Sequence, residues 1–480
     1  MAVKSARIQH VVVLMLENRS FDHIFGYRHG VNGLKGDEFN LLDPSKPESS
    51  ANPAFRVSNG APYAVTVGEG PGHSFNAANV QLAADKLGPS KAFPPRNNGF
   101  ASSYRTELIY ADKVKNATPA DIRVGMESFA PSMLPSINAL ADAFCLCDHW
   151  YSEVPGPTQP NRLYIHAGSS FGYVHNVWGN HFDARTIYNS LQDAGATWAT
   201  YDFDSNEVLE FTQVSSEKAN FKLFESDFAA DVNSGKLPNY AFIVPRFYNK
   251  GDSMANSQHA PQDARYGDNL IADVYDALRS NPDVWMKSAL VVTYDEHGGF
   301  YDHVIPPAKG IANPDGIDSP PKGDTASWVP KFRFDRLGFR VPAIIASPWV
   351  PKGTVDSTLY QHTSVLSTLK NLYGLPKFLT KRDAQARPFD ALLQKPARAR
   401  TDTPEKLPRV ALPRIEVPKD HPDHPSNQPL DETQREIVRG VHRLTRGSHP
   451  EGPSSETLPT TQGEAAEHIR QRYRRHFGRK

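Results

Sequence analysis

The sequence predicts an α/β fold whose central sheet is mostly parallel and covered on both faces. Two observations carry this. Short β-rich runs that end in polar clusters alternate with helix-patterned stretches, the pattern of successive βαβ units. Two of those runs, VVVLML at 11–16 and ALVVTY at 289–294, are apolar without alternation, as suits a strand buried on both sides. The composition allows a large core, with 39% apolar and 10% aromatic residues in a chain of 480, so the chain is not disordered. Basic and acidic residues balance at 53 each, which removes the electrostatic footprint of a dedicated nucleic-acid binder. No apolar stretch approaches the ~20 residues that span a bilayer.

Strands are expected at 8–16, 144–154, 197–201, 240–244, 288–294 and 341–347, and helices at 134–144, 187–194, 268–280 and 363–373. The first run follows a basic start and superficially resembles an export signal. It is too short for one, no small-residue cleavage site follows, and Glu17 and Asn18 close it. It reads as a strand, and the expected compartment is the cytoplasm, with signal-independent export as the alternative. Cys145 and Cys147 fall on the same face of one strand and read as core residues, not a bridge. The segments 37–72 and 305–335 are rich in Pro, Gly, Asp and Ser, the composition of loops that form functional rims or lids.

From about Pro396 the character changes. Residues 401–430 hold seven prolines, which prevent regular structure. Two amphipathic helices are expected beyond them. One carries Ile437, Val438, Val441 and Leu444 on one face. The other carries Ile469, Tyr473 and Phe477, with Thr461 and Glu464 as a capping box. The last helix is basic through Arg470, Arg472, Arg474, Arg475, Arg479 and Lys480. It reads either as the solvated face of a packed helix or as a peripheral contact for anionic lipid.

Chemistry concentrates at strand ends, where ligands of open α/β sheets sit. Glu17 and Asn18 follow the first buried strand, as a metal-binding acid and a neutral oxygen ligand or donor; the alternative is that Asn18 or Ser20 caps a helix starting near Phe21. Asp295 and Glu296 follow the second, ahead of Gly298 and Gly299. Adjacent acids repel unless a cation neutralises them, so the two pairs suggest a divalent ion held mainly by oxygen, its identity undetermined. His297 and His303 nearby read as supporting residues more than as ligands. In SEVPGPTQPNRLYIHAG, Thr158 stands where a helix cap is expected. The same place puts a hydroxyl at the positive end of a helix, where an anion binds and a metal would make the hydroxyl a nucleophile. His73, His259 and His362 are isolated, and a lone loop histidine is more often structural.

The segments LMLENRSFDHIFG, GPGHSF, LADAFCLCDHWYSEVPGPTQPNRLY, NSQHAPQDARYGDN and VVTYDEHGGFYDHVIPP together resemble the bacterial phosphoesterase family of phospholipases C and acid phosphatases, within the alkaline-phosphatase-like superfamily. With KLPNYAFIVPR, DRLGFRVPAIIASPWV, HTSVL and LTKRDAQARPFD, the matching segments run in order from about residue 8 to 390. The resemblance implies a three-layer α/β/α sandwich over residues 1–395, with 396–480 as an appended Pro-rich segment and helix pair. It implies that Glu17, Asn18, Asp295, Glu296 and the Thr158 oxygen bind the metal. Thr158 would be the nucleophile, with His73 and His259 at the phosphoryl oxygens or leaving group and His362 behind them. Threonine at that position looks more like the phospholipase branch, whereas the phosphatase branch usually has serine. The chain departs from the secreted members in lacking their export signals and C-terminal β-rich domains, and in having Val244 where relatives often have an acid.

The expected activity is metal-dependent hydrolysis of a phosphate ester through a phosphothreonine, on a phospholipid head-group diester, with a phosphomonoester as the alternative substrate. A non-catalytic binding protein on the same fold would be expected to have lost the nucleophile or a strand-end acid, and all are present.

Overall fold

The computed structural model describes residues 7–83, 96–446 and 457–477. The basic N-terminal start, Arg479 and Lys480 lie outside them. An eight-stranded sheet forms the centre. Its strands are β1 (His10–Leu16), β2 (Cys145–Cys147), β3 (Trp198–Asp202), β4 (Phe221–Leu223), β5 (Tyr240–Ile243), β6 (Ser288–Tyr294), β7 (Ala343–Ala346) and β8 (Thr354–Asp356). Their order is β8-β2-β7-β6-β1-β5-β3-β4. Every pairing is parallel except the two made by β7. The mostly parallel expectation therefore holds, and the unalternating runs of β1 and β6 are central strands buried on both faces.

The expected strand over 144–154 is broken. After β2 the chain turns and pairs Trp150–Tyr151 with Tyr360–Gln361 in a separate two-stranded ribbon. Cys145 and Cys147 are free and buried, as their spacing on one strand face anticipates. One layer of helices contains α1 (Pro135–Ala143) and α4 (Ala264–Arg279), packed together against β1, β6 and β7. The other contains α2 (Thr158–Ala167), α3 (Ile187–Asp193) and α5 (Thr363–Tyr373). His166 of α2 and Tyr188 of α3 set their rings against Phe242 and Tyr240 of β5. The result is the three-layer α/β/α arrangement.

Beyond Pro396 the proline-rich chain hugs the surface. Tyr275 and Arg279 of α4 both donate to the carbonyl of Pro404, and Arg409 pairs with Asp273 and Asp276. Helices α6 (Glu432–Arg446) and α7 (Gln462–Phe477) follow. The N–H of Glu464 donates to Thr461 Oγ1, while Thr461 N–H donates back to Glu464 Oε2 at 3.2 Å, closing the capping box. Ile437, Val438 and Val441 of α6 are buried in the main core, as are Ile469 and Tyr473 of α7. Each buried aliphatic contributes about 1.5–3 kcal/mol, so the apolar faces are spent on the protein itself. Gly440 is what lets α6 approach: a Cβ there would sit 2.6 Å from Cβ of Trp178.

Candidate active site

The β1–β6 register pairs Leu16 with Tyr294, so Glu17 and Asp295 emerge side by side at the carboxyl edge of the sheet. Asn18 takes the left-handed conformation (φ 58°), which asparagine tolerates better than most residues. Its N–H donates to Asp295 Oδ1 at 3.0 Å, and that oxygen also accepts from Glu296 N–H at 2.8 Å. Gly298 N–H holds Glu296 Oε2 at 2.8 Å. Gly298 is required here, since φ is 65° and a Cβ would collide with the Asn18 carbonyl. Ser20, not Asn18, caps the following short helix through His23 N–H, which leaves the Asn18 side chain for the site.

Thr158 is the first residue of α2, and Pro157 is its cap residue. The expectation of a threonine cap is thus corrected: proline holds the extended cap conformation, and the Thr158 hydroxyl donates instead to Asn18 Oδ1 at 3.1 Å. Asn161 fastens the preceding turn. Its Oδ1 accepts from the N–H of Glu153 and Val154, and its Nδ2 donates to the carbonyls of Val154, Gly156 and Pro157. One helical turn beyond Thr158, buried Arg162 reaches Glu17 at 3.1 Å, Glu207 at 3.0 Å and Asp295 at 3.4 Å.

Glu17, Asp295 and Glu296 are fully buried. Burial pushes all three carboxyls up from their ordinary values; Arg162 opposes this at Glu17 and Asp295, and the neighbouring Asp295 reinforces it at Glu296. Both Glu17 oxygens and Glu296 Oε1 have no hydrogen-bond partner. Buried carboxylate oxygens without donors are costly unless a cation answers them. One guanidinium does not balance these acids together with Glu207. The donor set is oxygen-rich and fits a divalent ion held by Glu17, Asn18, Asp295 and Glu296.

His73 and His259 stand opposite, their ring centroids 5.5 Å apart. His73 Nδ1 faces the Pro71 carbonyl at 3.2 Å, and Asn18 Nδ2 donates to its Nε2 at 3.2 Å. That pattern fixes the tautomer with the proton on Nδ1. His259 turns Nδ1 to the Ala260 carbonyl, and Thr433 Oγ1 donates to its Nε2 at 3.3 Å. Burial lowers both, His259 to about 3 with help from His73, so both rings are neutral near pH 7. His362 supports the acid pair from behind, its Nε2 donating to the Asp295 carbonyl at 2.7 Å. His297 contacts Glu296 Oε2 at 3.2 Å and Gln81 at 2.7 Å.

His303 lies elsewhere, with Asp22 and Asp302, whose ligand atoms come within 4.8 Å of one another. Arg340 already occupies this cluster, 2.9 Å from Asp22 and 3.0 Å from Asp302. It reads as a closed ion-pair network, not as the metal centre.

Sequence reasoning passed over three contributors. Arg162 had a signal, since it lies four residues beyond Thr158 inside GPTQPNR and so on the same helix face. Glu207 had none. Nor had the start of α6, which forms a wall of the cleft: Asp431 is buried close enough to Glu17 to raise it, and Thr433 touches His259. The cleft is a cavity of about 310 Å³ bounded by His73, His259, Pro157 and residues of α6. Trp328, from the 305–335 loop, completes its rim.

The sequence model of the phosphoesterase family matches residues 8–376. Non-specific phospholipase C1 of Arabidopsis thaliana is 38% identical over 423 residues, covering 84% of this chain and 74% of the relative. Phospholipase C B of Mycobacterium tuberculosis is 29% identical over 404 residues, 77% of this chain and 74% of the relative. Among solved structures, the phosphonate monoester hydrolase of Silicibacter pomeroyi aligns at 12% identity with a TM-score of 0.31, over 56% of this chain and 73% of its own. A likeness that distant does not bear on the site.

Proposed function

We propose, for a chain that belongs to the phosphoesterase family and is therefore a phosphoric ester hydrolase, that it is a metal-dependent phospholipase C working through a phosphothreonine on Thr158. The observation that carries the reading is the Thr158 hydroxyl, held at the N-terminus of a buried helix and bonded to Asn18 beside three buried carboxylates. The relatives named as phospholipases C support the substrate class. So does threonine in the nucleophile position.

A divalent cation held by Glu17, Asn18, Asp295 and Glu296 supplies the positive charge that lowers the pKa of a nearby hydroxyl. The remaining work belongs to the chain. Asn18 orients the hydroxyl and is itself held by His73, and the Thr158 N–H at the start of α2 receives a phosphoryl oxygen, since Gln159 N–H is taken by Asn176 Oδ1 and Pro160 has none. In the first half-reaction the Thr158 Oγ–P bond forms as the bond from phosphorus to the glycerol oxygen breaks. The hydroxyl proton passes by way of His73 Nε2 to the departing oxygen. In the second, the oxygen of water bonds to phosphorus as the Oγ–P bond breaks, releasing the phosphorylated head group and returning a proton to Thr158. Arg162 keeps Glu17 and Asp295 aligned throughout.

Hydrolysis of p-nitrophenylphosphorylcholine against p-nitrophenyl phosphate, with Thr158→Ala in parallel, tests the reading. Preference for the diester is expected, and preference for the monoester would replace phospholipase with phosphatase. Exposed Arg470, Arg474 and Arg475 on α7 support a peripheral contact with anionic lipid. Cosedimentation with phosphatidylglycerol vesicles, lost on changing all three to alanine, checks it.

A further inference from the structure

The loop over 305–335 is fastened at its root and exposed at its tip. Buried Arg382 grips the root from both sides. Its Nε donates to the Ala312 carbonyl at 2.8 Å and its Nη2 to the Phe334 carbonyl at 2.7 Å, while Nη1 donates to Glu153 Oε2 at 2.8 Å. Further along, Ser319 N–H donates to the Phe332 carbonyl at 2.8 Å and Phe332 N–H returns to the Ser319 carbonyl at 3.3 Å. From Lys331 the chain alternates as an extended segment does. Phe332 and Phe334 are buried, Phe332 with its ring 4.9 Å from that of Phe75, whereas Lys331 and Arg333 are exposed. Lys322 is exposed on the other limb.

Between Ser319 and Phe334 the loop holds these three basic residues and one acid, Asp324. That acid is turned toward His175, 3.7 Å from its Nε2. The outward face is therefore basic. Trp328 stands on the same loop, 54% exposed, with its ring 5.3 Å from that of His175. An indole left this open presents a large apolar area to water. Trp328 also lines the cavity that reaches His73 and His259, whose walls hold acids and no lysine or arginine. Tyr110, 74% exposed, adjoins Ala111 and Asp112 of that wall. The cleft mouth thus combines exposed aromatic rings with a basic loop. Such rings settle at the boundary between acyl chains and water, and lysine or arginine beside them meets lipid phosphate. The acidic cavity wall does not attract phosphate; the loop does.

We infer that the face formed by Lys322, Trp328, Lys331 and Arg333 docks on a phospholipid bilayer containing anionic lipid, which brings the cleft mouth against the membrane. The choice of a bilayer rests on the phospholipase reading above, whose substrate sits in a membrane, and the inference adds the surface that meets it. This surface is distinct from the arginines of α7, a helix that lines no part of the cleft cavity.

The test measures cosedimentation of the full-length protein with mixed vesicles of phosphatidylcholine and phosphatidylglycerol, in the Thr158→Ala background so that no lipid is consumed. Each basic residue near an anionic surface contributes roughly fivefold, so combining Lys322→Glu, Lys331→Glu and Arg333→Glu should weaken binding by roughly 100-fold or more. An unchanged thermal midpoint shows that this variant is folded. Tryptophan emission should move to shorter wavelength on vesicles, and Trp328→Phe should shrink that shift; this readout decides alone should the triple variant fold poorly. With Thr158 restored, the triple variant should lose hydrolysis of phosphatidylcholine in the same vesicles and keep the wild-type rate on soluble p-nitrophenylphosphorylcholine. Vesicle binding equal to that of the parent, or an emission shift unchanged in Trp328→Phe, overturns the docking surface and leaves the phospholipase reading standing. Binding lost as expected, in a protein that cleaves p-nitrophenyl phosphate but no lipid, supports the surface and sinks the phospholipase reading. A triple variant that binds vesicles normally but changes oligomeric state by light scattering makes the face a contact between copies of this chain and overturns the inference by another route.

Discussion

The Thr158 hydroxyl donates to Asn18 Oδ1 at 3.1 Å, joining the first residue of a helix to the residue two places past the first strand. Asn18 in turn is tied to Asp295 through its backbone N–H and to His73 through its side chain. One asparagine thus sets the distance between nucleophile, acids and imidazole.

Thr158→Ala is expected to lower turnover by ~10³-fold or more while costing about 1 kcal/mol of stability for one lost hydrogen bond. Thr158→Ser should keep a measurable rate. Acid quench during turnover followed by peptide mass spectrometry should find the phosphorylated head group esterified to residue 158 of the wild type. The same adduct on another residue would remove Thr158 from the mechanism.

The buried acids predict how metal and pH act on stability. Glu296 has its folded pKa raised by burial and by Asp295, so without metal its folded form holds a proton that the unfolded chain releases above about pH 4.3. The metal-free protein should therefore lose stability as pH rises beyond that value. Glu296→Gln should flatten this dependence and abolish the stabilisation that added metal gives the wild type. Thermal unfolding across pH, with and without metal, measures both. Glu17→Gln and Asp295→Asn should likewise bind less metal by elemental analysis.

Gly440→Val should push α6 off Trp178, where even a Cβ would come within 2.6 Å. A loss of about 1–3 kcal/mol is expected from the overpacking. Activity on phosphatidylcholine should fall further than activity on p-nitrophenylphosphorylcholine only if α6 also guides the lipid. An equal fall on both is expected if its role is confined to forming the cleft wall. Kinetics on the two substrates and chemical denaturation separate these effects.

Much of the fold could be read from local pattern because strand and helix burial leave periodic marks. The unalternating runs around Val13 and Val291 marked central strands, and the spacing of Ile437, Val438 and Val441 marked the buried face of α6. The strand at 144–154 was overextended because apolar content continues through the turn at Asp148 and His149, and only pairing decides where a strand stops. The assignment of Thr158 as a cap failed for a related reason. Cap preference describes an isolated helix end, and here Asn18, 140 residues away, takes the hydroxyl instead.

The sequence alone determined which residues carry reactive groups and that Glu17, Asn18, Asp295 and Glu296 follow buried strands, since both depend on residue type and short-range periodicity. Only the tertiary structure decided that β1 and β6 are neighbours in a register that sets Glu17 beside Asp295. It also decided that Arg162 answers three acids at once and that α6 returns to bring Asp431, Glu432 and Thr433 to the cleft. Those contacts join residues far apart in the chain, where sheet order, helix path and the room left by single glycines select partners that no local spacing encodes.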